Sequence, residues 1–199
     1  MPLLKISDLW LILYINLVRI KEYLGCGNYY PKSNTDVGDF IVGRFDDNLN
    51  KIIAHFDKYQ LITQKWSDFD LFKSGVELIS DGEHLTIEGL KKIISIKASM
   101  NKGLPDGLKE AFPDIIPVAR PLVKNQSIPD PQWVAGFMSG EGSLIIRVKK
   151  SSTNRTGLQV ELVFQITQHT RDEQLLLSFI KYFGCGRYRQ RKGGLEILL

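Results

Sequence analysis

The chain has 199 residues, 43% hydrophobic and 24% charged, enough apolar content to bury one or two cores, which excludes a disordered composition. Its net charge is +4, unevenly placed: residues 132–199 carry ten Lys/Arg against five Asp/Glu, and residues 1–131 carry sixteen against seventeen. The basic surplus in the last third predicts a surface that attracts phosphate groups. The two cysteines, Cys26 and Cys185, lie in no C-x-x-C pair, which excludes a disulfide framework or a cysteine zinc site and points to a reducing compartment.

In chain order, "DLWLILYINLV" opens at Asp8. Its apolar run is shorter than the ~20 residues that span a bilayer, and no small-residue cleavage site follows. It reads as a core helix, with no membrane partner. "DNLNKIIAHFDKYQLI" places Leu49, Ile52, Ile53, Phe56 and Tyr59 at helical spacing. "WSDFDLFKSGVELI" and "TIEGLKKIISIKASM" predict two more helices, the second opening at Thr86 with Glu83 and Glu88 near its start.

"FPDIIPVARPLVKNQSIPDPQ" then holds Pro113, Pro117, Pro121, Pro129 and Pro131, five of the chain's eight prolines. Proline removes a backbone donor and biases its predecessor to extended forms, so residues 113–131 read as a linker. Asp130 can cap the next helix with Pro131 at its first position, and the helix runs to about Gly140. "SLIIRVKK" and "GLQVELVFQIT" alternate as strands, "RDEQLLLSFIKYF" is helical, and "GRYRQRK" begins a further strand or hairpin. The class is α+β.

Two heptads match at five of seven positions: "YLGCGNY" (Tyr23–Tyr29) and "YFGCGRY" (Tyr182–Tyr188). Their offset of 159 residues predicts a duplicated domain. At this offset a partner of the helix at 131–140 would precede Met1. The expected organisation is the later part of one repeat over 1–112, the linker over 113–131, and the earlier part of a second repeat over 132–199.

The stretch "WVAGFMSGEGS" ends that helix with a lone acid, Glu141, between Gly140 and Gly142. Ala135, Gly136, Ser139 and Gly140 share a face at spacings of three and four, so a second helix can approach closely. Glycine within a helix costs about 1 kcal/mol relative to alanine, so Gly136 needs a packing reason. Trp133, Val134, Phe137 and Met138 cover the core side. An acid at a helix C-terminus opposes the dipole by about 0.3–1 kcal/mol, and a bound cation reverses that sign. Two such helices packed by their small faces would bring two carboxylates together, a setting for Mg²⁺ and phosphodiester cleavage. A phosphate-binding loop is excluded, because this glycine cluster follows a helix and has no lysine in position.

"WVAGFMSGEGS", "LQVELVFQITQHTRDEQLL", "YFGCG", "HFDKYQLITQKWSDFDLFK" and "EHLTIEGLKKIISIKASMNKGL" together resemble the LAGLIDADG homing endonucleases, specifically the single-chain, two-repeat type from fungal organelle introns. The resemblance covers nearly everything from about Val18. It implies αββαββα repeats related by pseudo-twofold symmetry, here incomplete at both ends, with central packed helices and sheets lying in the DNA major groove. It implies site-specific, metal-dependent cleavage of double-stranded DNA during intron homing, with Mg²⁺ as cofactor and a mitochondrial location.

By motif, the resemblance makes Glu141 the metal-binding acid, Gln168 an organiser of active-site water and Lys65 a basic group near the scissile phosphates. Strand alternation supplies the DNA-reading candidates. Ser143, Ile145, Arg147 and Lys149 share one face, and Leu144, Ile146 and Val148 point into the core. Gln159, Glu161, Val163, Gln165 and Thr167 share the polar side of the next strand, and Arg187, Arg189 and Arg191 one side of the last. Arginine and glutamine suit guanine and adenine edges. Asn28, Tyr30, Lys32 and Arg44 are the candidates in the first repeat. His55, His84 and His169 are scattered and read as surface or capping residues.

The family's activity needs two acids, and residues 1–17 show no first motif. The chain alone is therefore expected not to cut DNA as a monomer. Its Gly136/Gly140 helix would pair with a second copy or with the missing repeat part. The alternatives are an intron-splicing maturase that binds RNA and an inactive DNA-binding remnant.

Overall fold

The computed structural model describes residues 18–33, 35, 37–123, 126–191 and 194–198. The apolar helix expected from Asp8 lies outside these residues but for its last position, Val18, and so do residues 1–17 as a whole. No helix among the described residues is long and apolar enough to cross a membrane. The chain divides into two compact units, Met1–Gln60 with Asp70–Ala119, and Leu61–Phe69 with Arg120–Leu199.

In the first unit, α1 (18–24) leads into a hairpin of β1 (Asn28–Pro31) and β2 (Gly38–Ile41). The helix expected around Leu49–Tyr59 is present in three pieces: α2 (Phe45–Asp47), a π-helical stretch (Asn48–Ile53) and α3 (Ala54–Lys58). The π-helical stretch was not legible in the periodicity. Ile53 is buried, whereas Tyr59 caps the end and is exposed. α4 (Lys65–Ser80) follows, with its first turn grouped in the second unit. α5 (Ile87–Ser99) starts at Thr86, whose side chain accepts from the Gly89 amide as an N-cap. A short α6 (Asp106–Ala111) was not expected.

The proline-rich stretch is without helix or strand after α6, as far as it is described. It is held down by hydrogen bonds: within the first unit the Ser95 and Ser99 hydroxyls donate to the carbonyls of Ile116 and Val118.

The second unit begins its regular structure at α7 (Pro131–Glu141), where Asp130 Oδ1 accepts from the Trp133 amide at 2.8 Å and Pro131 fills the first helical position. β3 (Gly142–Lys150), β4 (Leu158–Gln168), α8 (Glu173–Phe183), β5 (Arg187–Arg191) and β6 (Gly194–Leu198) complete it. The antiparallel sheet has the order β3-β4-β6-β5. Its core gathers Val134, Ile166, Leu175, Leu176 and Phe179, with Trp133, Phe137, Met138 and Phe164 packed against them.

The two glycine motifs take one backbone form. Gly25 and Gly27 have φ of +63° and +85°, and Gly184 and Gly186 have +67° and +99°. Each pair stands between a helix end and a strand, in a left-handed conformation that side chains disfavour. The matched cysteines differ: Cys26 is buried and Cys185 exposed, both free thiols.

The inward expectation for Leu144, Ile146 and Val148 is corrected. They are 88%, 73% and 58% exposed. Alternation groups them as expected, opposite Phe164, Leu162 and Val160 in register. The α7/α8 core, however, covers only the Phe164–Ile166 end of this face. Beyond it, no described element lies on the aliphatic pairs, and alternation alone does not reveal how far a covering layer reaches.

Candidate active site

Glu141 is the last residue of α7, and the chain passes directly from helix to strand at Gly142. A Cβ on Gly142 would lie 2.6 Å from the Met138 carbonyl oxygen and 3.2 Å from the Phe164 ring, so this glycine permits the abrupt exit. At Gly136 and Gly140 a Cβ would meet nothing within 4 Å among the described residues. Ala135, Gly136, Ser139 and Gly140 are all exposed, and Ser139 Oγ donates to the Ala135 carbonyl. Nothing among the described residues covers this small face.

A hollow of about 380 Å³ lies along that face. It is lined by Leu61–Lys65 before and at the start of α4, by Trp133, Gly136, Phe137, Gly140 and Glu141 of α7, by Gln168 at the end of β4, and by Arg171 and Asp172. The three candidates Glu141, Gln168 and Lys65 thus come together from three segments. Among the described residues, none of their charged or amide groups has a hydrogen-bond or ion-pair partner. The hollow is lined by a carboxylate, an amide and an ammonium group that no other described residue engages.

Sequence reasoning missed what holds this hollow in shape. The buried polar side chains of the described chain are Ser67, Gln126 and Asp172, and all three belong to one network. Asp172, 3% exposed, accepts through Oδ1 from the Gln64 amide (3.0 Å) and from Gln126 Nε2 (2.8 Å). Its Oδ2 is 3.9 Å from Arg171 Nε. Ser178 Oγ donates to the Gln126 carbonyl, and Ser67 Oγ donates to the Pro121 carbonyl at 2.6 Å. These bonds join Leu61–Phe69 to the segment after Arg120, which is why that stretch groups with the second unit. They fix the loop that delivers Lys65.

The donor set bears on metal binding. No group of three His, Cys, Asp or Glu residues among the described residues can cage an ion. Asp172 is engaged by buried donors, which leaves Glu141 as the available carboxylate of the hollow. That fits an ion such as Mg²⁺, which takes one or two carboxylates and fills its remaining positions with water and substrate phosphate. His169 caps instead, its Nδ1 accepting from the Arg171 amide.

The polar sheet face forms a second hollow, of about 640 Å³, lined by Arg147, Lys149, Glu161, Leu162, Val163, Gly186, Arg187 and Arg189. Register explains it: Ser143, Ile145, Arg147 and Lys149 pair with Gln165, Val163, Glu161 and Gln159. Through β6, Arg187 and Arg189 stand level with Gln165 and Thr167. The side chain of Arg191 lies outside those described. In the first unit, Asn28 and Tyr30 alternate along β1, Lys32 pairs with Asp39 at 2.9 Å, and Arg44 sits before α2 rather than on a strand.

The family model for "LAGLIDADG endonuclease" matches residues 13–76 and 134–197. The chain belongs to the LAGLIDADG endonuclease family. It is 40% identical over 185 residues to a probable intron-encoded endonuclease of Neurospora crassa, covering 92% of this chain and 34% of that protein. A second such N. crassa protein is also 40% identical, over 88% of this chain and 40% of its own length. The chain therefore spans about a third to two fifths of these relatives. Among solved structures, the LAGLIDADG homing endonuclease I-SmaMI bound to cleaved DNA matches with a TM-score of 0.87 at 42% identity, over 93% of this chain and 62% of that one. I-SmaMI bound to uncleaved DNA in the presence of calcium ions matches equally, with a TM-score of 0.87.

Proposed function

We propose that this LAGLIDADG chain acts in site-specific cleavage of double-stranded DNA, as an intron-homing endonuclease working with a divalent metal, Mg²⁺ in the cell, within the mitochondrion. The supporting observation is the convergence of Glu141, Gln168 and Lys65 in one hollow of the unit that also carries the basic sheet face. In this reading the two units are related repeats, joined by the stretch 113–131, and the Gly136/Gly140 face is a helix-packing surface.

The reaction is hydrolysis of a phosphodiester. A water oxygen bonds to phosphorus and gives up one proton, the bond to the leaving sugar oxygen breaks, and the leaving oxygen gains a proton, so the protons balance. Glu141 would hold the cation, which supplies Lewis-acid stabilisation of phosphoryl charge. The Gln168 amide oxygen accepts a hydrogen bond from the attacking water and orients it. The Lys65 ammonium donates toward phosphoryl or leaving oxygens, where negative charge develops. Arg147, Lys149, Arg187 and Arg189 hold the duplex, with Ser143, Gln159, Gln165 and Thr167 as further base-edge candidates on the same face. In the first unit, Asn28, Tyr30, Lys32 and Arg44 take the corresponding role.

The test is selection of cleaved molecules from a randomised duplex library with Mg²⁺, over protein concentrations that let two copies pair through the Gly136/Gly140 helix and so supply two Glu141 carboxylates. A recurrent cut site that disappears with chelation supports the reading. Metal-independent cutting, or metal-dependent cutting undiminished in Glu141→Gln, contradicts it.

A further inference from the structure

Glu161 occupies an unfavourable place for a carboxylate in a DNA-facing groove, since each phosphate brought near is repelled. The structure gives it other partners. It sits on β4 opposite Arg147 in register, with Gln159 opposite Lys149 as the next pair on the same face. Lys149 Nζ lies 2.8 Å from each carboxylate oxygen. Gln159 Nε2 donates to Oε1 at 3.4 Å, and Arg147 Nη1 is 3.9 Å from Oε2. One acid therefore engages the two basic side chains of β3 that line the groove. The neighbouring Lys149 ammonium, through its hydrogen bond, holds the Glu161 carboxyl below its ordinary range.

Two consequences follow from charge alone. Lys149 and Arg147 are held over the sheet by a fixed acceptor, so their heads point to defined positions rather than sweeping the surface. The acid also cancels part of the positive field that would bind any duplex through its phosphates. Phosphate neutralisation by Lys and Arg releases counterions and dominates non-specific affinity. Discrimination between sequences rests instead on groups aimed at base edges.

We infer that Glu161 is a specificity-setting positioning residue, which holds Lys149 and Arg147 in place and suppresses sequence-independent binding to duplex DNA. The inference rests on reading the groove as DNA-facing. Exposed cross-strand ion pairs also support sheets, and such a structural role would leave the salt dependence of DNA binding untouched.

The test titrates the chain against a fluorescein-labelled mixed-sequence duplex over a salt series, for the parent, Glu161→Gln, Lys149→Met and the double variant. Glu161→Gln is expected to bind about three- to tenfold tighter, with a salt slope steeper by about 0.9, the signature of roughly one more phosphate contact. In the Lys149→Met background that gain should fall below about twofold, because the released ammonium is gone. Equal or weaker binding by Glu161→Gln at an unchanged slope overturns the inference and leaves the groove reading standing. Failure of the parent and all variants to bind the duplex at low salt overturns the groove reading, and the inference with it.

Discussion

The second unit presents two hollows built on opposite electrical principles. Around Glu141, Gln168 and Lys65, polar groups behind the wall are buried and hydrogen-bonded: Asp172 accepts from Gln126 and from the Gln64 amide, and Ser67 bonds to Gln64 and to the Pro121 carbonyl, which ties down the loop before α4. Along the sheet, charges are exposed and paired across strands, with Glu161 between Arg147 and Lys149. Buried polar networks are costly to break, because each orphaned donor loses its full solvation. Exposed pairs are screened and individually weak. One hollow is therefore suited to holding reacting groups in fixed geometry, and the other to presenting exposed, partly neutralised charge to a long polyanion.

The largest effect should come from Glu141→Gln. In the paired species that brings two acids together, metal-dependent cutting should fall about a hundredfold or more, the scale seen when a group acting on developing charge is removed. Affinity for duplex DNA should stay within about twofold, because the groove supplies it. Single-turnover cleavage and binding titration on the same preparation check both. A parallel loss of binding would merge the two hollows into one function.

Next is Asp172→Ala. It leaves the Gln64 amide and the Gln126 side-chain donor unpaired, and at ~1–3 kcal/mol each a loss of about 2–6 kcal/mol in unfolding free energy is expected. Denaturant titration measures it. Asp172→Asn keeps an acceptor oxygen and should lose less. If Asp172 acts through Lys65, the cleavage defect of Asp172→Asn should vanish in a Lys65→Ala background.

In the groove, Arg187→Ala should cost about 1–3 kcal/mol at particular base pairs if it contacts a base edge, with little change at others. Competition binding against single-base variants of the selected site reads this pattern. A uniform loss across all variants would reassign Arg187 to phosphate.

The smallest effect should be that of Lys149→Met on stability. The ammonium lowers the Glu161 pKa from its ordinary 4.5, so the pair's contribution is present above that value and is lost as pH falls through the depressed one. Unfolding curves against pH should show a slight deficit for Lys149→Met at neutral pH that disappears in acid. A large deficit at neutral pH would mean that the groove is structural in the way the Asp172 network is.

The sequence carried the two hollows unequally. The groove was legible because strand alternation is local: the residues at every second position, from Ser143 to Lys149 and from Gln159 to Thr167, share a face whatever lies around them. Asp130 at a helix start and the glycine pairs around Cys26 and Cys185 were legible for the same reason. Asp172 was not. In "QHTRDEQ" it looks like an ordinary acid before a helix, and its partners Gln64 and Gln126 are 108 and 46 residues away. Leu144, Ile146 and Val148 misled in the opposite sense, since period two states which residues share a face and is silent on what covers it. The π-helical stretch at Asn48–Ile53 left no mark on a pattern that any helix satisfies. Glu141, Gln168 and Lys65 came from a family resemblance. Their spacing of 76 and 27 residues, read off their numbers, carries no chemistry until the chain is folded.

On the proposed function, the hollow at the end of α7 is the metal-dependent one. The most direct measurement is amide NMR of the chain bound to duplex DNA, titrated with Mn²⁺ in place of Mg²⁺. Paramagnetic broadening should appear first at Glu141, Gly142 and Gln168, reach Lys65, and be lost in Glu141→Gln while the DNA-induced shifts of Arg147 and Arg187 persist. Broadening centred on Glu161, or broadening around α7 that survives Glu141→Gln, would contradict it.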